Sequence, residues 1–167
     1  MITNMKTLLS LLIIIVTISG IFDAGYITYE KILGVVPPCR PGFACATVLE
    51  SPWAYIGPIP LSVYGLGYYF AILTIAIMYF LQFDVRKITQ KLIPEKENKF
   101  LITLRNMSTR EWMMAFSTFG FFFSLYLMSI MAFIIQAWCY YCLLSAAACI
   151  TLFILNLLLW ITEKKIK

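Results

Sequence analysis

The sequence predicts an all-α integral membrane protein, a bundle of four transmembrane helices with a loop on the outer side between the first two. Three observations predict it. Of the 167 residues, 62% are hydrophobic and 13% charged, against roughly half and about a quarter in soluble domains. The hydrophobic excess falls into long blocks, as membrane spans require. No charged residue occurs from Trp112 to Thr162, a run long enough for two spans of about 20 residues joined by a tight turn. A single membrane domain over 1–167 is expected, with no room for a large additional soluble domain.

The first helix is expected over about 8–29, after Lys6. A basic start and an apolar core also suit a cleaved signal peptide. The apolar character continues through "AGYITY" at 24–29, past a cleavage site, so a retained helix is the better reading. The outer loop is expected over 30–60 and the second helix over 61–82, "LSVYGLGYYFAILTIAIMYFLQ". In the charged segment 83–110, Val85, Ile88 and Leu92 recur at helical spacing before Pro94, which predicts a short interfacial helix. The uncharged run divides into helices over about 112–135 and 139–161. Its midpoint is Ala137, so Cys139 and Cys142 begin the fourth helix at the membrane edge. No internal repeat or low-complexity tract is present.

Lys and Arg set the orientation. Lys6 precedes helix 1. Arg86, Lys87, Lys91, Lys96, Lys99, Arg105 and Arg110 lie between helices 2 and 3, and Lys164, Lys165 and Lys167 follow helix 4. Only Lys31 and Arg40 lie on the other side. The excess of cations on cytoplasmic loops predicts a multi-pass cell-membrane protein with both termini and loop 83–110 in the cytoplasm. The 30–60 loop and the Cys139 end of helix 4 then face outward. The sequon Asn106-Met107-Ser108 falls inside, where no glycan is expected. This placement accounts for the +5 net charge without a nucleic-acid partner.

The chain has no histidine, the usual zinc and haem ligand and the usual general base near neutral pH. Chemistry therefore falls to Cys, Tyr, Ser and a few carboxylates. Four of the five cysteines, Cys39, Cys45, Cys139 and Cys142, lie on the outer face, where disulfides persist. Three readings compete for them: two structural disulfides, a four-thiolate zinc site, and a redox relay. Zinc is disfavoured by the oxidising compartment and by the wide C-x5-C spacing. A structural disulfide suits Cys39–Cys45 taken alone. It explains Cys139–Cys142 poorly, because a C-x-x-C bond closes a very small ring and braces little chain. At a helix start the free N–H groups favour the thiolate of the first cysteine, the arrangement for exchange. Cys149 lies seven residues past Cys142, about 10 Å deeper on the same helical face, and reads as a small packing residue beside Ser145.

A thiol pair at a membrane edge needs an electron acceptor. With no metal ligands and no nucleotide motif, a lipid-soluble quinone is the simplest choice. Its pocket is expected to be neutral and aromatic, supplied by Trp53, Tyr55, Tyr64, Trp138, Tyr140 and Tyr141, for which the ordinary interfacial belt of Trp and Tyr is the competing reading. The stretch "FSTFGFFFSLY" in helix 3 reads as packing. Asp23 stands out, since carboxylates within spans are rare and often functional, although the headgroup region also suits it.

Four stretches in this order resemble the vitamin K epoxide reductase family in its short microbial form: "CRPGFAC" at 39–45, "ATVLES" with Ser51 six residues after Cys45, "GPIPLSVYGLGYY" leading into helix 2, and "CYYC" at 139–142. The likeness covers about residues 8–161. Bacterial quinone-linked disulfide oxidases of the other type carry C-x-x-C in the first outer loop, the reverse of the order here. The resemblance implies a four-helix bundle around a quinone, capped by the outer loop, part of which forms a short lid helix. It implies that Cys39 and Cys45 are the shuttle pair exchanging with a separate secreted thioredoxin-like protein. Cys45 then passes electrons to Cys139, Cys142 reacts with the quinone, and Ser51 steadies the lid by hydrogen bonding. Vertebrate members carry a tyrosine one turn after the second C-x-x-C cysteine. Here that position is Ala146, which counts against epoxide reduction.

The expected function is thus a membrane thiol:quinone oxidoreductase, with Cys139 and Cys142 catalytic, Cys39 and Cys45 the shuttle, and Trp53, Tyr64 and Tyr141 in the quinone pocket. The quinone is of the menaquinone, ubiquinone or vitamin K type, and no metal is expected. The alternatives are a quinone-epoxide reductase using the same thiols and a non-catalytic four-span scaffold with structural disulfides.

Overall fold

The computed structural model describes residues 2–92, 102–103 and 106–164. Pro94, Lys96, Lys99, Arg105, Lys165 and Lys167, which entered the reading of loop and orientation, lie outside the described residues. Among the described residues four helices are long and apolar enough to cross a membrane, over Met5–Ile32, Leu61–Phe80, Thr109–Ile135 and Tyr140–Thr162. The protein is an all-α membrane bundle.

Helix α1 (Ile2–Ile32) runs past the expected end near 29. At 1.5 Å per residue it is about 46 Å long, more than the hydrocarbon core of about 30 Å. Its stop is a C-terminal cap at Gly34, whose φ is 71°. Gly34 N–H donates to the Lys31 carbonyl at 3.1 Å and Val35 N–H to the Glu30 carbonyl at 3.0 Å, the paired bonds that a left-handed glycine allows. The loop that follows holds a short helix α2 (Cys45–Leu49), a 3₁₀ turn (Pro52–Ala54) and a two-residue hairpin, Tyr55–Ile56 with Ile59–Pro60, closed at Gly57-Pro58.

Helix α3 (Leu61–Phe80) is two residues shorter than expected, because Gln82 adopts a left-handed φ of 59°. The short amphipathic helix α4 (Val85–Leu92) follows. Its start is tied to the next span by Thr109, whose hydroxyl accepts from Val85 N–H at 3.0 Å and donates to the Phe83 carbonyl at 2.9 Å. Helix α5 (Thr109–Ser129) begins three residues before Trp112 because Ser108 and Glu111 form a reciprocal capping box, each satisfying a free N–H of the other's backbone. It ends in a π-helical turn, Ile130–Ile135, stopped by Gln136 at φ 53°. Helix α6 (Tyr140–Lys164) starts just after Cys139 and outlasts the expected end at 161.

Helix α1 packs between α3 and α6, and α5 closes the ring against α6 and, less extensively, against α3. The central core joins Ile13, Tyr69, Ile72, Met113, Leu152 and Leu159. Large apolar side chains such as Ile15, Phe22, Phe119, Phe122 and Phe133 stay exposed on faces suited to lipid. A second buried cluster, Ile27, Cys45, Val48, Leu49, Met131 and Cys139, lies at the loop end of the bundle and joins α2 to the start of α6.

Candidate redox site

The loop carries the first cysteine pair. Cys39 and Cys45 are joined in a disulfide with Cα atoms 5.7 Å apart, around a turn in which Phe43 N–H donates to the Arg40 carbonyl at 3.1 Å. This bond takes two of the four thiolates away from the zinc arrangement. Cys45 heads α2 and is 1% exposed, whereas Cys39 is half-buried. The loop is seated on the start of α6 by several contacts. Ala44 N–H donates to the Trp138 carbonyl at 2.9 Å, and the Tyr141 hydroxyl donates to the Pro38 carbonyl at 2.7 Å. The Arg40 guanidinium lies 4.5 Å from the centre of the Tyr140 ring, and Phe43 meets the same ring edge-on. The Ser51 hydroxyl donates to the Val48 carbonyl at 2.7 Å, closing the C-terminal turn of α2. Farther along, Lys31 Nζ donates to the Tyr55 hydroxyl at 2.7 Å, pinning the hairpin to α1.

The second pair lies beneath. Cys139 is fully buried and Cys142 half-buried, and both are free thiols. The loop pair is thus oxidised and the helix pair reduced. The thiol of Cys139 is lowered from 9.0 to about 7. The largest cause is the hydrogen bond donated by the Cys142 thiol, and the backbone N–H groups of Cys142 and Tyr141 add to it, while burial and the charge of Asp23 oppose it. The helix start does favour the thiolate, as expected, but the neighbouring thiol contributes more.

A cavity of about 530 Å³ opens under the loop between the four helices, within the size range of pockets for drug-sized ligands. Among the four paired cysteines Cys142 alone lines it. On α6 the lining residues are Cys142, Ser145, Ala146 and Cys149, the spacing of one helical face. Trp53, Tyr64 and Ser51 line it as well. Tyr141, expected in this pocket, does not. One residue before Cys142, it is turned by about 100° on a 3.6-residue helix, and it contacts Pro38 and the Tyr26 ring instead.

Four polar side chains of the cavity, Tyr69, Tyr68, Ser62 and Asp23, were not singled out as pocket residues from the sequence. Tyr69 is 1% exposed, and its hydroxyl lies 2.9 Å from Ser145 Oγ and 3.5 Å from Cys149 Sγ. Tyr68 donates to the Phe116 carbonyl at 3.3 Å. Ser62 and Asp23 also line the wall. The signal for the tyrosines was the "GLGYY" run itself, in which two hydroxyls sit too deep in a span for an interfacial belt. The apolar and aromatic wall, a thiol facing inward and a few polar atoms fit a flat, lipid-soluble quinone ring.

The model of the vitamin K epoxide reductase family matches residues 11–157. No match was found among the curated proteins.

Proposed function

Because this chain belongs to the vitamin K epoxide reductase family and is a multi-pass membrane oxidoreductase, we propose that it oxidises a thioredoxin-like partner and passes the electrons to a quinone. The observation that carries this reading is the division of the helix pair. Cys139 is buried beside Cys45 under the docked loop, while Cys142 lines the cavity. In this reading the partner's dithiol attacks the Cys39–Cys45 disulfide at Cys39, the more exposed sulfur. Cys45 then exchanges with an oxidised Cys139–Cys142 pair through a mixed disulfide at Cys139. The partner leaves with a disulfide, and the two electrons rest on the Cys139 and Cys142 thiols. A thiolate on Cys139 suits both the exchange and the return of the pair to a disulfide.

Cys142, Trp53, Tyr64 and the cavity face of α6 would hold the quinone, and when bound it supplies the two-electron acceptor. Ala146 is 4% exposed and lines the cavity, so α6 offers no phenol at that position. This supports quinone over quinone-epoxide as the substrate. Ser51 steadies the lid through Val48. The charge distribution supports an outward-facing loop, cytoplasmic termini and a partner that meets Cys39 from outside.

The test is quinol formation by membranes containing the chain, supplied with a reduced thioredoxin-like donor. Serine at Cys39, Cys45, Cys139 or Cys142 should each stop donor-driven turnover. After Cys139→Ser, mass spectrometry should find a quinone-derived mass on Cys142. Turnover by the Cys142→Ser variant would refute the assignment.

A further inference from the structure

Two polar atoms at the cavity, Asp23 Oδ2 on α1 and Ser62 Oγ on α3, are buried with no hydrogen-bond partner. Leaving a buried polar group unpaired is costly, more so for a charged one, and a carboxyl within a membrane span adds to that cost. A bundle that keeps both at one cavity keeps them for what the cavity holds. Among the described residues lining the wall, Asp23 is the only acidic one. It shares the inward stripe of α1 with Ala24, Ile27 and Lys31, and Cys142 lines the same cavity.

The electrostatics restrict what such a group can do. A poorly hydrated cavity holds one negative charge at much lower energy than two. A thiolate beside an ionised Asp23 makes two charges, whereas a thiol proton passed to Asp23 leaves one. Resting on the thiol:quinone reading above, we propose that Asp23 is the proton carrier of this cavity, taking protons from the Cys139–Cys142 pair and delivering them to the quinone oxygens. As the Cys139–Cys142 S–S bond forms, the pair loses two electrons and its two S–H protons. The quinone gains the same two electrons and two protons, and its two carbonyls become hydroxyls. Asp23 handles the protons one at a time and ends in the protonation state in which it began. Ser62 supplies the second polar contact, its hydroxyl donating to a quinone oxygen.

The experiment uses the full chain in membranes with Asp23→Asn, which keeps size and polarity, and Asp23→Glu, which keeps the carboxyl. General acid–base catalysis contributes about 100-fold or more, so Asp23→Asn should lower kcat for quinol formation by about that factor. The quinone KM should change by less than about threefold, as when an interaction specific to the chemical step is lost. Reduction of the Cys39–Cys45 disulfide by the donor should keep its wild-type rate, and Asp23→Glu should recover a large part of kcat. A second readout needs no quinone. The infrared difference between disulfide and dithiol forms of the Cys139–Cys142 pair should contain a carboxyl band, shifted in Asp23→Glu and missing in Asp23→Asn. Wild-type kcat in Asp23→Asn, absence of that band, or parallel loss of donor exchange and thermal stability would each overturn the proposal. If the wild type exchanges with the donor and shows the band yet reduces no quinone, the quinone reading falls and proton delivery to quinone falls with it. If only Asp23→Asn behaves as wild type, the quinone reading stands and Asp23 has no part in it.

Discussion

Cys45 and Cys139 are far apart in the chain, yet a relay requires their sulfurs to meet, and a disulfide needs Cα atoms within about 7 Å. The backbone arrangement brings the two cysteines into one neighbourhood. Ala44 N–H is bonded to the Trp138 carbonyl at 2.9 Å, so the next residue on each strand of chain is one of the two cysteines, and both belong to one buried cluster. Replacing Cys39 and Cys142 by serine leaves Cys45 and Cys139 with each other as nearest thiol. The double variant should form the Cys45–Cys139 bond under mild oxidation and be inactive. The docking contacts set the rate. Tyr141→Phe removes the 2.7 Å bond to Pro38, worth about 1 kcal/mol, or about a fivefold loss of the docked state. Arg40→Ala removes a cation–π contact worth about 0.5–1 kcal/mol at an exposed site. Because both contacts hold one loop, their effects are coupled, and the two changes together should slow bond formation roughly tenfold. The assay is a non-reducing gel of protein nicked within 83–110, in which the two pieces stay joined until reductant is added. Pieces that separate without reductant would mean the pairs do not communicate, and two independent structural disulfides would be the better account.

A single cysteine at 39 should react with an impermeant thiol reagent from outside the cell, and a Lys87→Cys substitution in a cysteine-free background only from the cytoplasm; reversed labelling overturns the orientation. The Cys139 thiolate should form as pH rises through about 7, so that at pH 7 about half is ionised, against about one in a hundred for a thiol near 9. Thiolate ultraviolet absorbance, taken as the difference from Cys139→Ser, measures this. Cys142→Ala should move the midpoint upward, and an unmoved midpoint would remove the Cys142 hydrogen bond as its main cause. A Cβ added at Gly20 would meet the ring of the buried Tyr69, so Gly20→Ala should cost about 1–3 kcal/mol by overpacking; an unchanged thermal midpoint in detergent would show that Tyr69 moves freely.

The four spans were legible without any partner residue, because insertion depends on a local sum of side-chain transfer free energies over about 20 residues. The two cysteine motifs were legible for a similar reason: C-x-x-C at a helix start and a second pair in a loop are statements about neighbours in sequence. Helix ends were local too, and two of the misplaced boundaries had visible signals, Gly34 after α1 and the Ser108/Glu111 capping box before α5. The side of α6 that faces the cavity was decided by packing. Cys142, Ser145, Ala146 and Cys149 form one helical stripe, which the sequence displays, but nothing local says that this stripe turns inward and that Tyr141, about 100° away, turns toward the loop. That rotation is set by α1, α3 and α5 together, through residues such as Tyr69 whose hydroxyl reaches Ser145. The seating of Cys45 over Cys139 was likewise beyond the sequence. It depends on a backbone hydrogen bond between segments that only the closed bundle brings side by side.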